Sequence, residues 1–122
     1  MTFDKFTIKA QEAIQSALDT AKRNGQQTIE PVHILAGVMD KGKDVTDYVL
    51  QKLGVNAQTV ELSLQNEIKH LPKVSGGEPY FSPDSNKVLE AAAGSDVQLY
   101  VSTFYQEGGS PEFDDGIKAW LN

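Results

Sequence analysis

The side chains with most chemistry to offer are two histidines, His33 and His70, in a 122-residue chain without cysteine. A histidine that binds metal on a helix needs a second donor about one turn away, as in i, i+4 ligand pairs. Neither histidine has Asp or Glu at that spacing, and the residue one turn before His70 is Asn66, a poor metal ligand. His33 follows Glu30-Pro31 and falls in the first turn of a helix, so it is expected to pack or to support the helix cap. Ser75 and Ser110 stand among glycines and prolines, with no Gly-x-Ser-x-Gly elbow around either, and read as turn and cap serines. Glu112, Asp114 and Asp115 cluster where a helix begins and offset its dipole there. Gly42-Lys43 is followed by Asp44 and lacks the upstream glycine of a phosphate-binding loop. These patterns predict no catalytic residue, no metal site and no cofactor.

What remains is contact chemistry. Tyr80-Phe81 sits in the stretch Pro72 to Ser82, which holds two glycines and two prolines. Two readings are open for this aromatic pair: it pins the linker to the folded body, or it is exposed and meets a partner. Thr7 precedes a helical pattern and is expected to cap it through its hydroxyl.

Composition narrows the partners. The chain has 17 acidic against 11 basic residues and a net charge of −6, which argues against a nucleic-acid coat because phosphate binding needs clustered Lys and Arg. The acid is uneven: residues 1–72 carry 8 basic and 9 acidic groups, and residues 73–122 carry 3 and 8. The longest apolar run, Ile34 to Met39, is far short of a membrane span. Met1 to Lys5 lacks the basic-then-apolar order of a secretory leader. Hydrophobic residues at 39% and charged residues at 23% describe a globular chain of one domain. The missing thiols fit a reducing compartment, and a cytoplasmic location is the expectation.

The elements that would position these residues are helical. Ala10, Ile14, Ala17, Leu18 and Ala21 share one face and predict a helix over Ile8 to Asn24, stopped at Gly25. Glu30-Pro31 opens a second helix with Ile34, Leu35, Val38 and Met39 as its buried stripe. Lys41-Gly42-Lys43 breaks the chain before a third helix, Asp44 to Leu53, with Val45, Tyr48, Val49 and Leu53 inward. Asn56 caps a fourth in which Val60, Leu64, Ile68 and Leu71 recur, and Pro72 ends it. Ser82-Pro83 starts a fifth helix running to Ala92. Alternation over 97–103 suggests a short strand, and Gly108-Gly109-Ser110-Pro111 opens a last helix with Phe113, Ile117, Trp120 and Leu121 on one face. The expectation is an all-α fold, with four helices in residues 1–72, a linker at 73–82 and a further partial unit at 83–122.

Several words now point to a family. Phe6-Thr7-Ile8-Lys9-Ala10-Gln11-Glu12-Ala13, Ile29-Glu30-Pro31-Val32-His33, Gln51-Lys52-Leu53-Gly54-Val55-Asn56 and Leu71-Pro72-Lys73-Val74-Ser75-Gly76-Gly77-Glu78-Pro79-Tyr80 resemble, in order and spacing, the Clp repeat N-terminal domain of ClpB-type disaggregases. Ser82-Pro83 with Asn86-Lys87-Val88-Leu89-Glu90 continues the likeness, which covers roughly residues 3–92. The resemblance implies a tandem repeat of two four-helix units, with repeat one in residues 1–72. Residues 83–122 then read as a divergent or incomplete second repeat. A family subtype that reads phosphorylated arginine carries Gly-Thr-Glu-His near the second helix. Here the matching word is Glu30-Pro31-Val32-His33, and valine cannot accept a charge-assisted hydrogen bond, so that recognition is not expected.

The resemblance further implies a non-catalytic domain that engages unfolded or aggregated protein and passes it to the ATPase ring of the parent protein, with Thr7 among surface residues linked to substrate handling. No ATPase motif occurs in the chain, which suggests a piece of a longer protein. The expected physics is weak burial of exposed apolar stretches in a shallow groove between helices, with Thr7, Tyr80 and Phe81 as candidate contact residues. An alternative of another class is a homodimer that pairs through the face its second repeat would cover, serving as an assembly module without clients.

Overall fold

A computed structural model describes residues 6–74 and 76–93. Five helices follow one another with two very short strands: α1 (Ile8–Arg23), β1 (Thr28–Ile29), α2 (Pro31–Lys41), α3 (Lys43–Lys52), α4 (Ala57–His70), β2 (Tyr80–Phe81) and α5 (Pro83–Ala93). The fold class is all-α, as the periodicity requires. The suggested strand over 97–103 and the last helix after Pro111 lie outside the described residues.

Local chemistry explains the boundaries. The Thr7 hydroxyl accepts the Ala10 N–H at 3.1 Å and caps α1, while Gly25 takes the left-handed φ of 67° just beyond its end. The Asn56 side chain accepts from both Gln58 and Thr59 and caps α4. Gly54, at φ 72°, makes the turn between α3 and α4. Gly42 serves as the end of α2 and the start of α3, so α3 begins one residue earlier than the lysine-glycine-lysine break suggests.

α1 packs most extensively on α2. The approach is close because small residues face each other: Ala13 and Ala17 of α1 are buried against Gly37 of α2, where a Cβ would collide with the Ala13 carbonyl oxygen. A core of Phe6, Ile14, Ala17, Ala21, Ile29, Ile34 and Leu89 joins α1, β1, α2 and α5. Leu64 and Ile68 bring α4 in from the other side, and Met39 is buried with them.

Three inward assignments are corrected. Leu35 and Val38 of α2 are 45% and 37% exposed, and Leu53 at the end of α3 is 54% exposed. On α2 the inward positions are His33, Ile34, Gly37 and Met39. Backbone closeness between α1 and α2 turns the glycine edge inward and rotates Leu35 and Val38 out. Leu53 occupies the C-cap of its helix, beyond the turn that Val45 anchors.

The linker is also more ordered than its composition implies. β2 pairs in parallel with β1, Thr28 opposite Tyr80 and Ile29 opposite Phe81. The Tyr80 N–H donates to the Gln27 carbonyl at 2.9 Å and the Ser82 N–H to the Ile29 carbonyl at 3.1 Å. Val74 donates to the Gly25 carbonyl at 3.0 Å. These bonds fasten the segment between α4 and α5 to the loop after α1.

Candidate interaction surface

The polar interior is organised around His33, which is fully buried. Its Nδ1 accepts the Glu30 N–H at 2.8 Å, giving the return half of a capping box. With Nδ1 accepting, the proton resides on Nε2, which donates to the Gln26 Oε1 at 2.6 Å. The Gln26 amide nitrogen in turn donates to the Ile68 carbonyl on α4. Burial pushes the His33 imidazole below the usual histidine range, partly opposed by the Glu30 carboxylate. The chain of bonds ties the start of α2 to the loop after α1 and to the end of α4. His33 is a packed, cap-supporting residue, and its neighbours are amides and carbonyls. Among the described residues, no cluster of three or more His, Asp or Glu could hold a metal.

The sequence-predicted contact residues separate. Thr7 is half-buried and its hydroxyl is engaged in the α1 cap. Tyr80 is 53% exposed. Phe81 is half-buried and packs against the core cluster to which Phe6, the neighbour of Thr7, also belongs. Strand alternation is the reason: successive side chains of β2 point to opposite faces, so one aromatic pins the segment and the other faces solvent. Phe81 thus pins the segment to the folded body, and Tyr80 is the exposed member of the pair.

Two clefts went unread in the sequence. One, of about 380 Å³, lies beside the linker and is lined by Lys22, Gln27, Val74, Glu78 and Pro79 among others. The second, of about 370 Å³, lies between α2 and α4. Its apolar lining is Ala36, Met39, Leu62 and Leu64, and Asp40 and Glu61 supply carboxylates. Met39 and Leu64 are buried, whereas Leu62 is 68% exposed. Leu62 interrupts a polar face of α4, and that isolated leucine was the available signal. No helix among the described residues is long and apolar enough to cross a membrane.

The capped helices, the buried His33 network and the two-residue strand pairing define a small all-α domain. Residues 5–102 match the Clp repeat (R) N-terminal domain, and the chain belongs to that family. Among curated relatives it is 55% identical to the chaperone protein ClpB of Bacteroides thetaiotaomicron and 47% identical to that of Porphyromonas gingivalis, each over 92 residues. These alignments cover 75% of this chain and 11% of each relative. The ClpB of Rhodopirellula baltica is 31% identical over 123 residues, 98% of this chain and 14% of the relative. The chain is thus a chaperone-associated domain, and it spans only about a ninth of the length of the first two relatives.

Proposed function

We propose that this domain engages unfolded or aggregated protein on behalf of a ClpB-like chaperone and passes it to the ATPase ring, without catalysis or a cofactor of its own. The observation that carries the reading is the exposure of Tyr80 on a strand whose other residue, Phe81, fixes it to the core. With its backbone bonded to the Gln27 carbonyl, the exposed ring can bury apolar area on binding without the cost of ordering the chain. Val74, in the same linker, adds exposed apolar surface. Such contacts are weak and non-directional, which suits a client that must be released onward. The resemblance adds Thr7 to the surface linked with clients.

The test is an NMR titration of the labelled domain with a permanently unfolded protein. Shifts in fast exchange around Thr7, Tyr80 and Phe81 are expected, and Tyr80→Ala should weaken binding severalfold with an unchanged melting temperature. A dispersed spectrum that does not move at all would refute client capture. The exposed Leu35 and Val38 on α2 favour the second reading, a symmetric homodimer, because such a pairing would cover them. Sedimentation at several concentrations separates the two, since a stable dimer supports pairing and a monomer supports client capture.

A further inference from the structure

We propose that Asn24 is a self-modification site: it deamidates to aspartate and isoaspartate when the end of α1 opens, and the isoaspartate form releases the linker from the loop after α1. Asn24-Gly25 is followed by no second Asn-Gly pair, since Asn56, Asn66 and Asn86 precede alanine, glutamate and lysine. The Gly25 amide nitrogen attacks the Asn24 side-chain carbonyl carbon. A C–N bond forms, the side-chain amide leaves as ammonia with the Gly25 amide proton, and a succinimide ring closes. Water then opens the ring at either carbonyl, giving aspartate or isoaspartate. One water is consumed, one ammonia is released, and nothing is oxidised or reduced. Glycine permits the attack because no Cβ stands beside the nitrogen.

The fold holds both reactants apart. The Gly25 N–H donates to the Lys22 carbonyl at 3.0 Å, and the Asn24 carboxamide nitrogen donates to the Thr20 carbonyl at 2.8 Å. Asn24 has ψ 7°, whereas ring closure eclipses the Gly25 nitrogen with the Asn24 Cβ, roughly a third of a turn away about a tetrahedral Cα. Conversion therefore waits on opening, and local opening suffices. Gly25 is exposed, and a Cβ there would meet no heavy atom within 4 Å, so only hydrogen bonds at a fraying helix end hold the pair. Aspartate at this position sets an anion against the negative end of the α1 dipole and cannot donate to Thr20. Isoaspartate adds one carbon to the main chain just before Gly25. The Gly25 carbonyl accepts the Val74 N–H at 3.0 Å and the Gln27 carbonyl accepts the Tyr80 N–H at 2.9 Å, so the displaced main chain loses its hold on the linker.

The experiment incubates the whole chain at neutral pH beside the end-blocked peptide Lys-Arg-Asn-Gly-Gln-Gln. Mass spectrometry of digests locates the conversion, and isoaspartyl methyltransferase counts the isoaspartate. The peptide and the chain in strong urea should convert at the same rate, and the folded chain at least about tenfold more slowly. That folded rate should barely change in urea well below the unfolding midpoint, because fraying exposes little surface. Val74→Pro removes the donor to the Gly25 carbonyl at an exposed position and should speed conversion severalfold. In the purified isoaspartate form, the Val74 and Tyr80 amides should exchange hydrogen at least about tenfold faster. A folded chain that converts at the peptide rate would overturn the gate, as would a folded rate that climbs with urea in step with global unfolding. Isoaspartate that still accumulates in Asn24→Gln would move the site elsewhere and overturn the assignment. Unchanged exchange at Val74 and Tyr80 would overturn the release of the linker.

Discussion

Replacing His33 with alanine tests the internal network most directly. The ring is wholly buried and makes two hydrogen bonds, from the Glu30 N–H and to the Gln26 side chain. His33→Ala leaves the Glu30 donor and the Gln26 carbonyl oxygen without partners, and each such orphan costs ~1–3 kcal/mol. Lost packing around the missing ring adds to this, so the expected destabilisation is about 3–5 kcal/mol. Small domains have roughly 5–15 kcal/mol in all, which makes this about a fifth or more of the total. Urea unfolding followed by circular dichroism measures it. A cycle with Gln26→Ala should show coupling of about 0.5–3 kcal/mol, because the two side chains share one bond. The pH arm is independent. His33 is depressed below its ordinary value of 6.5, so the folded chain binds fewer protons than the unfolded chain as pH falls below that value. The stabilisation is complete above the unfolded value and declines as pH falls from there toward the folded one. Wild-type protein should lose stability over that window, and His33→Ala should lack this component. A loss below about 1 kcal/mol together with additive behaviour in the cycle would show that the network is not what holds α2 to α4.

Two further substitutions probe the packing and the cap. Gly37→Ala places a methyl group against the Ala13 carbonyl, and because backbone cannot yield as a side chain can, a loss of about 1–3 kcal/mol is expected in the urea midpoint with the slope unchanged. A variant as stable as the parent would mean that α1 and α2 can move apart without cost. Thr7→Ala should cost ~1 kcal/mol through the lost bond to Ala10, and Thr7→Ser should restore it. If Thr7→Ser keeps the stability but loses client affinity, the methyl group contacts clients directly. If both recover together, the threonine acts on clients only through the cap.

Much of the helical frame was legible along the chain. Thr7, Asn56, Pro31 and Pro83 mark helix starts, and Gly25 and Gly54 mark ends, because caps and turns are decided by residues within a few positions of each other. The role of His33 was legible for the same reason, since its bond to the Glu30 backbone spans one turn. Its second partner was not, because Gln26 looks like any exposed loop amide until α4 brings the Ile68 carbonyl to it.

The sequence by itself determined where helices begin and end, the all-α class and the family to which the chain belongs. Periodicity also marked Ile14, Ala17 and Ala21 of α1 and Leu64 and Ile68 of α4 as inward, but the tertiary structure alone decided which face of α2 is buried. Leu35 and Val38 are as apolar as Ile34 and Met39, but the contact of Gly37 with Ala13 sets the rotation of α2 and leaves them outside. It also decided that Phe81 goes inward and Tyr80 outward, through a parallel pairing with a strand some fifty residues earlier that periodicity cannot register. The groove between α2 and α4 is of the same kind. Its floor and rim come from two helices separated by a third, and a surface shared between distant segments exists only once they are packed.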